Sequence, residues 1–252
     1  MKVSPTLETL AAISILRENF KDIKIINLLN HTSGIYDYED MDHTDKQIID
    51  EDILTFLKTT TKTYFEVGSK YQYSNTAYIL LGLIIEKVSG EKIDQYLNSR
   101  IFKKVGMNCT LVNYEGITQI PNRAYGHIIE ENELIGKDQY WCSATIGDGG
   151  LYSNIDDLNL WVDYLIEHID EYSDNLLSES VLTNVENTYY GMGIRTVKVI
   201  DKKIYYHSGS TIGTNTLVLF SKDFNLKCIF LTNVNGIDAA IIKNNILKLI
   251  NS

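Results

Sequence analysis

Three short segments bring together side chains of the types used for proton relay and nucleophilic catalysis: His31-Thr32-Ser33-Gly34, Tyr73-Ser74-Asn75 and His207-Ser208-Gly209. Each also has a plainer reading. His31 suits a turn in which its imidazole is hydrogen-bonded. Ser74 or Asn75 can cap a helix by accepting a backbone N–H bond. Ser208-Gly209 can simply end a strand.

The elements that would hold these segments are legible in the hydrophobic pattern. From Asn75 to Ser89 the chain is apolar almost all round and stops at Gly90, which predicts a buried central helix ended by a left-handed glycine. Ile93, Tyr96, Leu97 and Ile101 recur at helical spacing and predict a second helix. Ser153 and Asp156 have capping-box spacing ahead of a third, carried by Ile155, Leu158, Trp161 and Leu165. After about residue 187 the pattern changes to strands: Tyr189 to Ile200, Lys203 to Ser208, Thr214 to Phe220 and Leu226 to Thr232. The segment from Ser221 to Asn225 reads as a hairpin connection. Asp238 caps a closing amphipathic helix. Helices first, an antiparallel sheet later and one helix to close it make an α+β layout.

Composition narrows the classes of function. The 252 residues are 44% hydrophobic and 22% charged, enough to bury a full core in one domain over 1–252. A net charge of −10 with no basic face disfavours nucleic acid or anionic lipid as partners. The longest apolar run, Tyr78 to Val88, is interrupted by Glu86 and Lys87, short of the about 18 apolar residues of a membrane span. The first residues carry no apolar signal segment, and localisation is open. Cys109, Cys142 and Cys228 are odd in number and far apart, which predicts core positions rather than a zinc site or disulfides.

The order of the three segments, together with their surroundings, resembles the β-lactamase and penicillin-binding-protein family of serine hydrolases, in particular its class C β-lactamase, D-alanyl-D-alanine carboxypeptidase and esterase branches. The resemblance runs through Leu28-Leu29-Asn30-His31-Thr32-Ser33-Gly34, then Tyr71-Gln72-Tyr73-Ser74-Asn75, Ile84 to Gly90, and Gly149-Gly150-Leu151-Tyr152-Ser153 with Asp157-Leu158. It continues through Tyr190-Gly191-Met192-Gly193 and His207-Ser208-Gly209. It implies a helical subdomain over about 21–145, a sheet with flanking helices over about 146–252, and acyl transfer on a small peptide, β-lactam or ester without metal or organic cofactor. Within that resemblance Tyr73 is the proton shuttle, its pKa lowered by a neighbouring cation, and Asn75 binds the substrate amide. His207 orients the tyrosine or the leaving group, Gly209 keeps the strand open, and the Ser210 N–H is an oxyanion donor.

One part of the pattern is missing. The family places its nucleophile in a Ser-x-x-Lys segment ahead of the His-Thr-Ser-Gly element, the lysine one helical turn beyond the serine. Only 30 residues precede His31, and the sole Ser-x-x-Lys is Ser89-Gly90-Glu91-Lys92, downstream of Tyr73 with a glycine inside it. Ser14-Ile15-Leu16-Arg17 comes nearest upstream, but arginine cannot act as a base. The expectation is therefore a β-lactamase/transpeptidase-like fold lacking the N-terminal strands and nucleophile helix, inactive in this form. Association through an exposed sheet edge or pocket is expected with it. The alternative is a pseudoenzyme that binds a peptidoglycan-like peptide or a protein partner.

Overall fold

The Asn75–Ser89 helix is built at both ends by its own sequence, and much of the first half of the molecule packs on it. The Ser74 hydroxyl accepts the Ala77 N–H at the start, and Gly90, at φ +71°, turns the chain out of the helix at the end. The computed structural model describes residues 20–42, 46–114, 119–176 and 180–251. The Ser14–Arg17 stretch lies outside them.

The helices in order are α1 (Ile25–Leu29), α2 (Asp50–Thr59), α3 (Asn75–Ser89), α4 (Ile93–Leu97), α5 (Lys103–Val105), α6 (Ile155–Leu176) and α7 (Ala239–Asn251). Helix α3 is buried or half-buried from Asn75 to Glu86 and surfaces only near its end. Ala77, Ile79, Leu80 and Ile84 join Leu28, Ile35, Ile53, Leu57 and Trp141 in the first core, whereas Val88 is 64% exposed. The second expected helix forms as one run, in which α4 continues through a π turn at Asn98–Phe102 into the single turn of α5. The cap of α6 also differs from the expected box. Asn154 accepts the Asp157 N–H at 2.8 Å, and the Ser153 hydroxyl is taken up at 2.7 Å by Thr110.

The strands are β1 (Leu111–Val112), β2 (His127–Glu130), β3 (Glu133–Gly136), β4 (Leu151–Tyr152), β5 (Val181–Leu182), β6 (Thr188–Gly191), β7 (Ile194–Val199), β8 (Lys202–Thr211), β9 (Thr214–Ser221) and β10 (Leu226–Thr232). Six of them form one antiparallel sheet in the order β10-β9-β8-β7-β6-β5. The expected single run from Tyr189 to Ile200 is two strands, because the chain reverses at Met192-Gly193, both at positive φ. Alternation sends Val197, Val199, Ile204, Tyr206, Leu217 and Leu219 to one face, where α7 covers them with Ile242, Ile246 and Ile250. Tyr205 and Phe220 go to the other face and meet Val162 and Ile169 of α6. The first half is not wholly helical, since β1, β2 and β3 lie within it. The β2–β3 hairpin is tied to the end of β10 by His127 N–H to Asn233 O and Asn235 N–H to His127 O, both at 2.9 Å. Mixed helix and antiparallel sheet is the α+β class expected. The cysteines correct one detail: Cys109 is exposed, and Cys142 and Cys228 are half-buried rather than fully in the core.

Gly34 and Gly90 share a left-handed backbone in different surroundings. A Cβ on Gly34 would overlap the Phe65 carbonyl oxygen, while one on Gly90 would meet nothing. Gly90→Ala should therefore cost about 1 kcal/mol, the left-handed penalty alone, and Gly34→Ala about 3 kcal/mol or more. Urea unfolding of the two variants tests this, and equal losses would refute the steric part.

Candidate active site

The His31 loop is sewn to the segment that carries Tyr73. His31 has φ +59° and is completely buried. Its carbonyl accepts the Gln72 N–H at 3.0 Å, the Thr32 carbonyl accepts Gly68 N–H at 2.8 Å, and the Gly34 carbonyl accepts Tyr64 N–H at 2.8 Å. The Ser74 N–H donates to His31 Nδ1 at 3.1 Å, and the Tyr78 hydroxyl donates to Leu29 O at 2.9 Å. An imidazole accepting at Nδ1 carries its proton on Nε2 when neutral. That Nε2 is buried and has no hydrogen-bond partner among the described residues, so the imidazole is only half satisfied. Around it stand aromatic rings, with centroids at 4.3 Å for Tyr73, 4.4 Å for Tyr190 and 5.0 Å for Tyr78.

The sheet supplies the other wall. The β6–β7 turn sets Tyr190 directly opposite Arg195, which in turn faces Tyr206 on β8. The Arg195 guanidinium lies 5.1 Å from the Tyr73 ring centroid and 5.4 Å from that of Tyr190. His207 Nε2 is 3.3 Å from the Tyr190 hydroxyl, and the His207 ring centroid is 6.2 Å from that of Tyr73. The polar partner of His207 is thus Tyr190 rather than Tyr73.

Burial governs the protonation states. It pushes the Tyr73 phenol up to about 12, and the nearby Arg195 opposes that shift without reversing it. The expected lowering by a neighbouring cation is therefore corrected: a cation is present, but desolvation is the larger effect. Burial, with His207 and Arg195 adding to it, holds His31 down at about 3, and burial with Arg195 holds His207 at about 4. At neutral pH the cluster has two neutral imidazoles, a protonated Tyr73 and the Arg195 cation.

The remaining expected residues flank this cluster. β8 is longer than its neighbour β7: pairing with β7 ends at Arg195–Tyr206, while pairing with β9 continues to Thr211–Thr214. From His207 to Thr211 the β7 side of the strand is therefore unpaired among the described residues, a free edge for an extended ligand. Gly209 and Ser210 lie on it, exposed. A Cβ on Gly209 would come within 2.7 Å of Thr216 Oγ1. No hydrogen bond joins Ser210 to the Tyr73 cluster among the described residues. Asn75 opens α3 and bonds the Glu39 carboxyl, which burial and the charges of Asp37 and Asp148 push up. Asp148 is pushed up to about 6, chiefly by burial, although the Tyr38 hydroxyl donates to its Oδ2 at 2.6 Å.

Ser89 and Lys92 do not meet. The Ser89 hydroxyl donates to Ile85 O at 2.6 Å, and Lys92 Nζ donates to Glu86 at 3.0 Å. Gly90 turns the chain between them, so the ammonium does not stand one helical turn below the hydroxyl.

Sequence reading missed Arg195 and the role of Tyr190. Tyr190 stood in the Tyr-Gly-Met-Gly segment, but reading residues 189–200 as one strand hid its pairing with Arg195. Recognising Met192-Gly193 as a turn would have exposed it.

A family model described as Beta-lactamase matches residues 8–249. Penicillin-binding protein 4* of Bacillus subtilis is 29% identical over 236 residues, covering 85% of this chain and 52% of its own length. The chain spans about half the length of the curated relatives it matches. A penicillin-binding protein from Bacillus halodurans superposes with TM-score 0.77 at 24% identity, covering 96% of this chain and 80% of that one. A D-amino acid amidase from Ochrobactrum anthropi gives 0.75 at 18%, covering 91% and 72%.

The buried groups set an acid response whose sign can be worked out. Unfolded imidazoles protonate near 6.5, whereas those of His31 and His207 wait until about 3 and about 4, so their contribution to stability is lost as pH falls below 6.5. Asp148 and Asp50 work the other way: at about 6 in the fold against 3.8 when unfolded, they add stability as pH falls from 6 toward 4. Asp148→Asn removes one of these compensating groups. Its urea midpoint should fall more between pH 7 and pH 5 than that of the wild type; an equal or smaller fall would contradict these assignments.

Proposed function

The chain belongs to the Beta-lactamase family, and from that premise we propose that its 252 residues form the substrate cleft of an acyl-transfer hydrolase and bind ligand without becoming acylated. The ligand class is a D-amino-acid peptide, a β-lactam or an ester, in keeping with relatives named penicillin-binding protein and D-amino acid amidase. The observation that carries the reading is the convergence of Tyr73 and His207, from different halves of the chain, beside the free edge of β8.

In this reading an extended substrate lies along His207–Thr211. The Ser210 N–H donates to the ligand's carbonyl oxygen. Asn75 binds the amide, exchanging its bond to Glu39 for one to substrate. Tyr73, protonated at neutral pH, donates a hydrogen bond to the bound ligand, and the Tyr190 hydroxyl holds the neutral His207 ring through its Nε2. Acylation needs a nucleophile activated by a base. The single Ser-x-x-Lys in these residues has its hydroxyl and its ammonium bonded elsewhere. Neutral histidines and a phenol near 12 also leave no strong base at pH 7.

A fluorescent penicillin and a fluorophosphonate probe test the two halves of the proposal. The expected outcome is saturable, reversible binding of the penicillin, weakened about tenfold or more in Asn75→Ala, with no mass adduct from either probe. A covalent adduct would refute the absence of acylation. Absence of any saturable binding by a folded chain would refute the cleft.

A further inference from the structure

A second polar site lies on the sheet, away from the Tyr73 cluster. Its pocket, about 230 Å³ in volume, is lined by Ser180, Tyr189, Thr196, Lys198 and Lys203. The register explains why these residues converge. Tyr189 pairs with Thr196 across β6–β7, and Lys198 pairs with Lys203 across β7–β8, so strand alternation sends all four to one face. His207 lies on the same face of β8 four residues beyond Lys203, about 13 Å along the strand. The pocket and the Tyr73 cluster are therefore distinct.

Two features of this pocket are unfavourable as they stand. Lys198 and Lys203 are direct cross-strand neighbours, with Cβ atoms about 5 Å apart, a placement in which like charges repel. Their ammonium groups form no hydrogen bond or ion pair with any described residue, in a chain whose net charge is −10. Asp223 lies nearby, but its Oδ2 accepts the Lys203 backbone N–H. The second feature is Thr196, 5% exposed, whose Oγ1 is buried without a hydrogen-bond partner among the described residues. A hydroxyl stranded in this way has lost its hydration with no partner in exchange. A single ligand chemistry relieves both costs, because an oxyanion accepts from the two ammonium groups and from the Thr196 hydroxyl at once.

We propose that this pocket binds a phosphate-type dianion, either free or carried as the monoester of a small molecule. Two ammonium groups balance two negative charges. The Thr196, Tyr189 and Ser180 hydroxyls together with two three-donor ammoniums match the acceptor-rich oxygens of a phosphate better than the two of a carboxylate. The volume leaves room for a small organic group beside the Tyr189 ring.

The experiment measures thermal unfolding and calorimetric binding with inorganic phosphate and with glycerol 3-phosphate, against chloride at the same ionic strength. In the wild type both should raise Tm saturably in the millimolar range. In Lys198→Gln/Lys203→Gln the affinity should fall about tenfold or more, and in Thr196→Val by a smaller factor. Tighter binding of glycerol 3-phosphate than of phosphate identifies the ester as the ligand; equal affinity identifies the free ion. The double variant without ligand should be at least as stable as the wild type, since a repulsion has been removed. A shift that is no larger than with chloride, or that persists undiminished in the double variant, overturns the proposal. So does a loss of stability in the ligand-free double variant, which would mean the lysines are already paired.

Discussion

The hydrogen bond from the Ser74 N–H to His31 Nδ1 joins segments 43 residues apart, and the candidate site is arranged around it. It fixes the neutral imidazole with its acceptor toward the start of α3, and so sets the direction in which Tyr73 and Asn75 leave the chain. It also requires that His31 stay unprotonated, because an imidazolium has no acceptor to offer. Burial among Tyr73, Tyr78 and Tyr190 enforces that requirement: a charged ring here would lose its hydration with only aromatic faces in return, and Arg195 and His207 stand close enough to repel it.

The same desolvation explains why the polar cluster is held in uncharged states rather than in ion pairs. Arg195 is its cation, and it faces the rings of Tyr73 and Tyr190. A guanidinium tolerates such surroundings better than an ammonium, being planar and weakly hydrated. Its field lowers each neighbouring phenol and each imidazole, yet for Tyr73 burial is the larger effect. The acidic groups Glu39 and Asp148 are close enough to act on Tyr73 as well, and Glu39 bonds Asn75.

Strand length shapes the rest of the sheet's chemistry. Because β7 starts at Ile194 while β8 runs on to Thr211, part of a central strand has an open side just where His207, Gly209 and Ser210 lie. Central strands ordinarily have both sides paired, so this overhang is a local exception to the hydrogen-bonding pattern that stabilises the sheet. At the other end of the same strands the β7–β8 register is complete, and there it forces two lysines together. One register thus produces both an open edge and a concentrated positive charge, at opposite ends of β8.

Much of this molecule was legible in its sequence because local rules suffice for it. Apolar periodicity and Gly90 located α3, the alternating runs located β8, β9 and β10, and the ordered segments around His31, Tyr73 and His207 pointed to the family. What escaped was decided by contacts distant in sequence. The turn at Met192-Gly193 is short and lies within an otherwise β-forming run, so its glycine signal was outweighed and the facing of Tyr190 and Arg195 was missed. The Asn154 cap displaced the expected Ser153 box because Thr110, 43 residues earlier, engages the Ser153 hydroxyl. The protonation state of Tyr73 could not be read from its neighbours in the chain, since it depends on how deeply the fold buries the ring against how closely Arg195 approaches. Sequence by itself determined which residues are available for chemistry and in what order. Only the tertiary structure decided their partners and charges, because desolvation and cross-strand pairing belong to the packed molecule.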